Sequence, residues 1–235
     1  MDWRDEAIVL GARRHGETSV VLEAMTRAHG RHLGLVHGGR SKTLAASIQA
    51  GNLVELTWRA RLDDHLGTFT VEARALNAAR FLASPQALYG LATLAAHLRL
   101  LPERDPHPAL FDTVLVLVDH LDDPDLAGPL FVRFEVALLA ELGFGLDLSE
   151  CAATGARTDL VYVSPRTGRA VCAEAGEPWR DRLLPLPAFL RAEGERGVAP
   201  GDVSAGFRLT EHFLRAHLHR DALPPERARF VAALG

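Results

Sequence analysis

Cys151 and Cys172, the only cysteines in the chain, stand at the two ends of a segment that resembles a small hairpin. Thiolates placed in this way can bind zinc, but a structural zinc site needs four ligands, commonly from one C-x-x-C knuckle on each arm. The second knuckle positions hold Thr154 and Ala175, and the segment contains no histidine. We therefore expect no zinc and no other cofactor. The hairpin would instead be packed by its apolar side chains, namely Leu160, Tyr162 and Val171.

A redox function is the other chemistry open to a cysteine pair. The C-x-x-C spacing that lowers a thiol pKa in redox proteins is absent. Two cysteines are also too few for a disulfide framework, so the sequence favours a metal-free, reduced hairpin.

A second group of residues has the chemistry to bind phosphates. Residues 24–54 contain no acidic side chain, and several glycines there allow the backbone to approach a phosphate chain closely. The alternative interpretation is a solvated, glycine-rich surface. Arginines before and after this stretch favour a binding face, and the predicted DNA-binding residues are Arg13, Arg14, Arg27, Arg31, Arg40, Lys42, Arg59, Arg61 and Arg74.

Aromatic residues lie on the same predicted strands. Trp58 and Phe69 could stack on unpaired bases, but they stand within apolar alternation, which also fits a core position. Residues 34–41 lack the lysine of a phosphate-binding P-loop, and no G-x-S-x-G elbow occurs. We find no catalytic constellation and predict that the protein is not an enzyme.

The elements that must position these residues change in character near residue 80. Residues 1–80 contain five runs with strand periodicity and one short helix candidate between the third and fourth runs. This order is typical of an OB-fold barrel. Residues 81–235 contain helical runs at 84–101, 106–122, 126–144, 185–194, 204–219 and 224–234, interrupted by the hairpin at 149–177.

These patterns define an α+β protein: a five-stranded OB-fold domain over 1–80 and an α-helical domain over 81–235, with the hairpin as a degenerate zinc-knuckle insert. The two parts differ in charge. Residues 1–80 carry 11 Lys+Arg against 9 Asp+Glu, whereas residues 81–235 carry 15 against 21. The positive part is therefore the one suited to nucleic acid.

The start of the chain, MDWRDEAIVL, has three acidic residues where a secretory leader would have a positive segment, and no apolar run is long enough to cross a bilayer. We expect a cytoplasmic, nucleoid-associated protein without membrane contact.

Two segments carry a family resemblance. FEVALLAELGFGLDLSECAATG resembles the FE-x-x-LL-x-x-LG helix and following knuckle of the bacterial recombination mediator RecO family. ETSVVLEAMTRAHGRHLGLVHGGRSK is similar to that family's ETS opening and basic loop. Zinc-bearing members have cysteine at all four knuckle positions, and the ending ALPPERARF departs from the basic turn that is common in the family.

The resemblance implies a DNA repair protein that binds single- and double-stranded DNA and anneals complementary strands. It also implies that the protein acts with RecR to load the recombinase RecA onto strands coated by single-stranded DNA-binding protein. The helical domain would receive the acidic C-terminal tail of that protein, with Arg133 as the charge partner. Alternatively, Arg133 pairs with Glu135 or a neighbouring helix. Other functional classes remain open: a protein–protein adaptor that does not bind DNA, and an enzyme whose site the sequence does not display.

Overall fold

The computed structural model describes residues 1–62, 64–191, 197–218 and 223–235. Both strands and helices occur, which confirms the α+β class. The chain forms two compact units, residues 1–122 and residues 123–235. No helix in the described parts of the chain has the length and apolar character needed to span a membrane.

Five strands of the first unit close into a barrel: β1 Asp2–His15, β2 Ser19–Thr26, β3 Gly30–Val36, β4 Leu53–Arg59 and β5 Thr68–Ala75. Their order around the barrel is β1-β2-β3-β5-β4. β1 pairs with β4 along its first half and with β2 along its second half, across a bulge between Val9 and Gly11. A short helix, α1 Lys42–Ser47, connects β3 to β4.

The barrel core follows from alternation along the strands. Every second residue of β3 is buried, and β4 buries Val54, Leu56 and Trp58 in the same way. Gly34 lies within this pattern because the ring of Phe69 occupies the space that a Cβ would need. The core is therefore filled by large side chains whose positions depend on strand register.

Three helices complete the first unit: α2 Ala78–Phe81, α3 Pro85–Leu98 and α4 Pro108–Asp119. Two features define the start of α3. The Ser84 hydroxyl accepts a hydrogen bond from the Ala87 amide at 3.2 Å, and Pro85 is the first residue of the helix. The connection after α3 packs on the β2–β3 turn. A Cβ on Gly30, whose φ is +68°, would overlap the Asp105 backbone.

The division between the units falls at Asp122, whereas the expected domain boundary was residue 80. The strand-to-helix change does lie close to residue 80, between Ala75 and Ala78. However, α3 is tied to the barrel by the Arg99–Glu23 ion pair at 2.7 Å, and α4 by the ion pair between Arg27 and Asp112. These contacts place both helices in the barrel's unit.

The second unit contains the elements α5 Ala127–Glu141, β6 Leu160–Val163, β7 Ala170–Cys172, α6 Ala173–Gly176, β8 Leu184–Pro185, α7 Asp202–His217 and α8 Pro225–Ala233. The hairpin β6–β7 gains β8 as a third strand, in the order β7-β6-β8. Side chains of the hairpin and of α7 share one core cluster with Leu139 of α5. α5 is buried on most sides, as expected of a central helix.

The helix predicted over 185–194 is wrong for the residues that the structure describes. Leu184–Pro185 pairs with β6, and only a short 3₁₀ turn, Ala188–Leu190, follows. Pro185 and Pro187 lack amide hydrogens, which prevents a regular helix there. The end of this prediction, at 192–194, and His219 at the end of the 204–219 prediction lie outside the described residues.

Candidate nucleic-acid interface

Four of the nine predicted DNA-binding residues lie together at one end of the barrel. Arg13 and Arg14 stand near the end of β1, where Arg14 pairs with Val20 of β2. Val20 in turn pairs with Val36, the last residue of β3. The Arg40 amide, in the segment after β3, donates a hydrogen bond to the Thr18 carbonyl at 3.2 Å. The β1–β2 turn and the segment leading into α1 are therefore neighbours, and they form a basic end that comprises Arg13, Arg14, Arg40 and Lys42.

These four side chains are exposed. Within the described part of the chain, none of them forms an ion pair with a carboxylate. The Arg40 guanidinium donates to the backbone carbonyl of Glu17 in the adjacent turn, which directs it toward that turn. Four uncompensated cations on neighbouring turns are suited to binding phosphates.

Three other predicted residues are tied to carboxylates of the same unit. Arg27 contacts Glu6 at 2.9 Å and also Asp112 of α4. Hydrogen bonds to Asp112 and then Glu6 raise the pKa of this guanidinium further above its ordinary value, so it is always charged. Arg27 also lies 4.7 Å from the centroid of the Phe111 ring. Its surroundings are those of a residue that attaches α4 to the barrel.

Arg31 and Arg74 have similar constraints. Arg31 is mostly buried and contacts Glu23 at 3.0 Å and Glu103 at 3.6 Å, and Arg74 pairs with Glu55. The window 24–54 is free of acids in sequence but not in space, because strand pairing, the connection after α3 and α4 bring carboxylates from elsewhere. The structure thus differs from the single basic face that we expected.

The remaining two, Arg59 and Arg61, are exposed where β4 ends. Arg59 pairs with Thr68 of β5, and Thr68 pairs with Leu35 near the end of β3. The β3–β5 pairing therefore brings the end of β4 toward the end of β3, which leads into the basic end.

Trp58 and Phe69 are core residues, 2% and 4% exposed, and the stacking alternative for them is wrong. The indole Nε1–H of Trp58 donates a hydrogen bond to the Leu66 carbonyl at 3.0 Å, which fixes the ring inside the barrel. Sequence reasoning missed Trp3, which is half-buried at the barrel end where Trp58 lies. The available signal was its position on β1 directly opposite Trp58, visible only once the register is known.

In the second unit, Cys151 and Cys172 are both buried and lie in contact. The Cys172 amide donates to Cys151 Sγ at 3.3 Å, and Thr154 Oγ1 lies 3.6 Å from Cys172 Sγ. Burial raises the pKa of the Cys151 thiol, but hydrogen bonds from the Thr154 hydroxyl and from the amides of Cys172, Ala153 and Thr154 outweigh it. The result is a pKa lowered to about 6. A low pKa thus arises without C-x-x-C spacing.

Zinc does not fit the residues present here. Thr154 and Ala175 contribute no thiolate, and in the part of the chain that the structure describes no three His, Cys, Asp or Glu side chains converge to hold a metal ion. The absence of zinc from the purified protein stays a prediction.

Arg133, the predicted partner-binding residue, is exposed on α5 and donates from Nη2 to the Phe189 carbonyl at 2.9 Å. It does not pair with Glu135, which is buried. Glu135 instead receives two hydrogen bonds from Arg227 of α8, at 2.7 and 3.0 Å. The sequence signal for this pair was a carboxylate within the largely apolar helix α5, but its partner lies 92 residues later.

A cleft between α7 and α8, with a volume of about 460 Å³, is the other notable surface of the second unit. Its wall combines apolar residues, including Phe207, Leu223 and Val231, with the cationic side chains of Arg208 and Arg215. Glu211 also lines the cleft and pairs with Arg215 at 2.9 Å. The cleft was not predictable from the sequence, because it forms only when α8 lies beside α7.

The first unit is thus a closed barrel with a basic end, and the second unit contains an apolar, arginine-lined cleft. Sequence comparison identifies the family. The chain matches the models of the recombination protein O N-terminal region over residues 1–76 and of the recombination protein O C-terminal region over residues 84–225. The protein belongs to the recombination protein O (RecO) family.

Relatives that align over the whole chain carry the same family name. The chain is 59% identical over 237 residues to the DNA repair protein RecO of Mesorhizobium japonicum, with 100% of this chain and 94% of the relative covered. It is 60% identical to that of a Chelativorans species (100% and 96% covered) and 53% identical to that of Brucella abortus (100% and 96% covered). The predicted family is confirmed, and its relatives are named for DNA repair.

Proposed function

We propose that the protein is a recombination mediator in DNA repair, which binds DNA strands, anneals complementary ones and assists recombinase loading without catalysing a reaction itself. The barrel would be an OB-fold. The strand order β1-β2-β3-β5-β4 with a helix between β3 and β4 supports this assignment, since OB-folds commonly bind single-stranded nucleic acid.

The observation that carries the proposal is the basic end. Arg13, Arg14, Arg40 and Lys42 are exposed and lack carboxylate partners within the described residues, so their charge is available to a ligand. Neutralising phosphates of two strands lowers the repulsion that slows their meeting, and the counterions released on binding provide free energy. Backbone contacts of this type give little sequence preference.

The second unit would bind the partner proteins. The family resemblance implies the acidic tail of single-stranded DNA-binding protein, together with RecR and RecA. Two surfaces suit an acidic, partly apolar peptide: the exposed Arg133 on α5 and the cleft between α7 and α8, where Arg208 and Arg215 border an apolar wall. Both belong to the second compact unit, whereas the basic end belongs to the first.

Annealing of complementary oligonucleotides that have been coated with the cognate single-stranded DNA-binding protein tests the proposal. We expect the wild-type protein to accelerate annealing at least tenfold over the coated strands alone. Removing the acidic tail from the coating protein should abolish the acceleration on coated strands while annealing of naked strands continues. No acceleration with either substrate would contradict the proposal and favour a protein–protein adaptor.

A further inference from the structure

A cavity of about 300 Å³ lies beside the β2–β3 turn of the first unit. We call it the aromatic pocket. Four parts of the first unit line it: the start of β1, the end of β4, the β2–β3 turn with the start of β3, and the connection after α3. The main lining side chains are Trp3, His29, His32, Trp58, Arg104 and Pro106. Its volume is at the lower limit of small-molecule sites, which suits one flat, single-ring or double-ring ligand.

The wall of the aromatic pocket is a preformed stack of rings. His29 stacks on Trp3 with centroids 4.1 Å apart and planes 8° apart, and Trp3 stacks on Trp58 at 5.7 Å and 18°. Asp5 holds the His29 ring through Nδ1 at 2.8 Å. His32 lies edge-on to Trp3 at 5.2 Å. Trp58 and His32 are buried, whereas Trp3 and His29 are only half-buried, so part of the wall remains accessible.

Arg104 adds a cation to this aromatic wall. Its guanidinium carbon lies 5.9 Å from the centroid of Trp58. The backbone of Arg104 has a φ of +65°, a left-handed conformation that is unfavourable for a residue with a Cβ. Two hydrogen bonds hold it: its amide donates to the Arg31 carbonyl at 2.9 Å, and Nη2 donates to the His65 carbonyl at 2.7 Å. Strained residues of this kind concentrate at binding sites.

The chemistry of the pocket selects a flat π system with polar edges. Trp3 already stacks on His29 and Trp58, so a base would stack on the accessible face of the half-buried His29 ring. Burial lowers the pKa of His32, and its Nδ1 lies 2.9 Å from the Leu33 carbonyl, so the neutral ring leaves Nε2 as a hydrogen-bond acceptor. Arg59 and Arg61, which follow Trp58 in the chain, are exposed, and neither forms an ion pair within the described ranges. They would contact the phosphates on either side of a bound base.

We propose that the aromatic pocket binds one unpaired nucleobase of a DNA strand, with Arg59 and Arg61 contacting the adjacent phosphates. This inference rests on the proposed function, since it assumes that the protein meets single-stranded DNA, and it gives the strand a second contact beyond the basic end. A free nucleotide offers the same chemistry, so the experiment must separate the two sources.

The test compares two fluorescently labelled strands of equal length, oligo(dT) and a fully abasic strand with the same phosphates, with the full-length protein. Because stacking contributes about 1–3 kcal/mol per base, we expect oligo(dT) to bind roughly 5- to 150-fold more tightly than the abasic strand. The variants His29→Ala and, independently, Trp3→Leu should reduce this ratio to near one without changing affinity for the abasic strand. The control Trp179→Leu removes an exposed tryptophan from the other unit and should leave the ratio unchanged.

Equal binding of both strands by the wild-type protein would overturn the pocket proposal and leave the phosphate-based function intact. A ratio that neither variant reduces would place base contacts elsewhere and also overturn it. Failure to bind either strand would contradict the proposed function itself. A separate experiment adds millimolar thymidine monophosphate and measures tryptophan fluorescence in the wild type and in His29→Ala. If the nucleotide quenches the fluorescence of the wild type alone, and the wild type does not prefer oligo(dT) to the abasic strand, the pocket binds free nucleotides and the strand proposal is rejected.

Discussion

Cys151 combines burial with a thiol that the local hydrogen bonds make acidic. In a Cys172→Ser background, where Cys151 is the only cysteine, thiolate absorbance at 240 nm should rise with a midpoint near pH 6. Replacing Thr154 by Val should raise the midpoint, because the hydroxyl hydrogen bond stabilises the thiolate. Thr70→Val, in the exposed part of β5, is the matched control. A midpoint at the ordinary value near 9 would contradict this account.

The same pKa links Cys151 to stability. A folded-state pKa below the unfolded value stabilises the folded protein fully above the unfolded pKa, and this contribution is lost as the pH falls through the folded pKa. The difference in unfolding free energy between wild type and Cys151→Ala should therefore grow as the pH rises from 6 to 9. Denaturant titrations at several pH values measure it, and a constant difference would refute the linkage.

Arg227 and Glu135 form the buried ion pair of the second unit, 3% and 0% exposed in their side chains. Removing one partner leaves a buried charge without compensation, so Arg227→Met should destabilise the protein by about 3–5 kcal/mol. The double variant Arg227→Met, Glu135→Leu should recover much of that loss. Urea unfolding measures both, with the exposed Arg180→Met as control. A loss under about 1 kcal/mol for Arg227→Met would show that Glu135 is neutral or solvated.

At the scale of elements, α5 and the α7–α8 pair offer competing surfaces for an acidic partner tail. If the tail binds at α5, Arg133→Ala should weaken tail binding. If the tail binds in the cleft, Arg215→Ala should weaken it instead. Fluorescence anisotropy of a labelled tail peptide measures both, and binding to naked DNA should change little in either variant. If neither substitution alters tail affinity, both residues are structural, and the tail must bind elsewhere.

The elements were predictable where periodicity and caps agree. Alternation predicted the five strands, and the helical runs at 84–101 and 106–122 predicted α3 and α4. Periodicity failed at 185–194, where prolines and pairing with β6 outweighed the apolar pattern. The aromatic pocket was not predictable, because Trp3 meets His29 and Trp58 only through the β1–β4 register and the β2–β3 turn.

At the scale of the whole molecule, charge segregation along the chain predicted that the first part is the one suited to nucleic acid. It did not indicate which cations are available. Of the nine predicted residues, Arg27, Arg31 and Arg74 are engaged by carboxylates that are distant in sequence. This outcome depends on tertiary pairing, which composition and spacing do not encode.

The central claim, that the basic end binds DNA through phosphates, predicts a steep salt dependence. For single strands the slope of log K against log salt is about −0.7 per phosphate neutralised, so Arg40→Ala, Lys42→Ala should flatten it by roughly 1.4 if each side chain contacts one phosphate. The same variant should anneal strands more slowly. Arg180→Ala, Arg182→Ala removes equal charge from the other unit and serves as control.

The measurement is the salt slope of oligonucleotide binding for these three proteins, each confirmed to be folded by circular dichroism. The account predicts a flatter slope for the Arg40, Lys42 variant alone. A folded Arg40→Ala, Lys42→Ala protein with the wild-type slope and full annealing activity would contradict it and return this loop to a solvated surface.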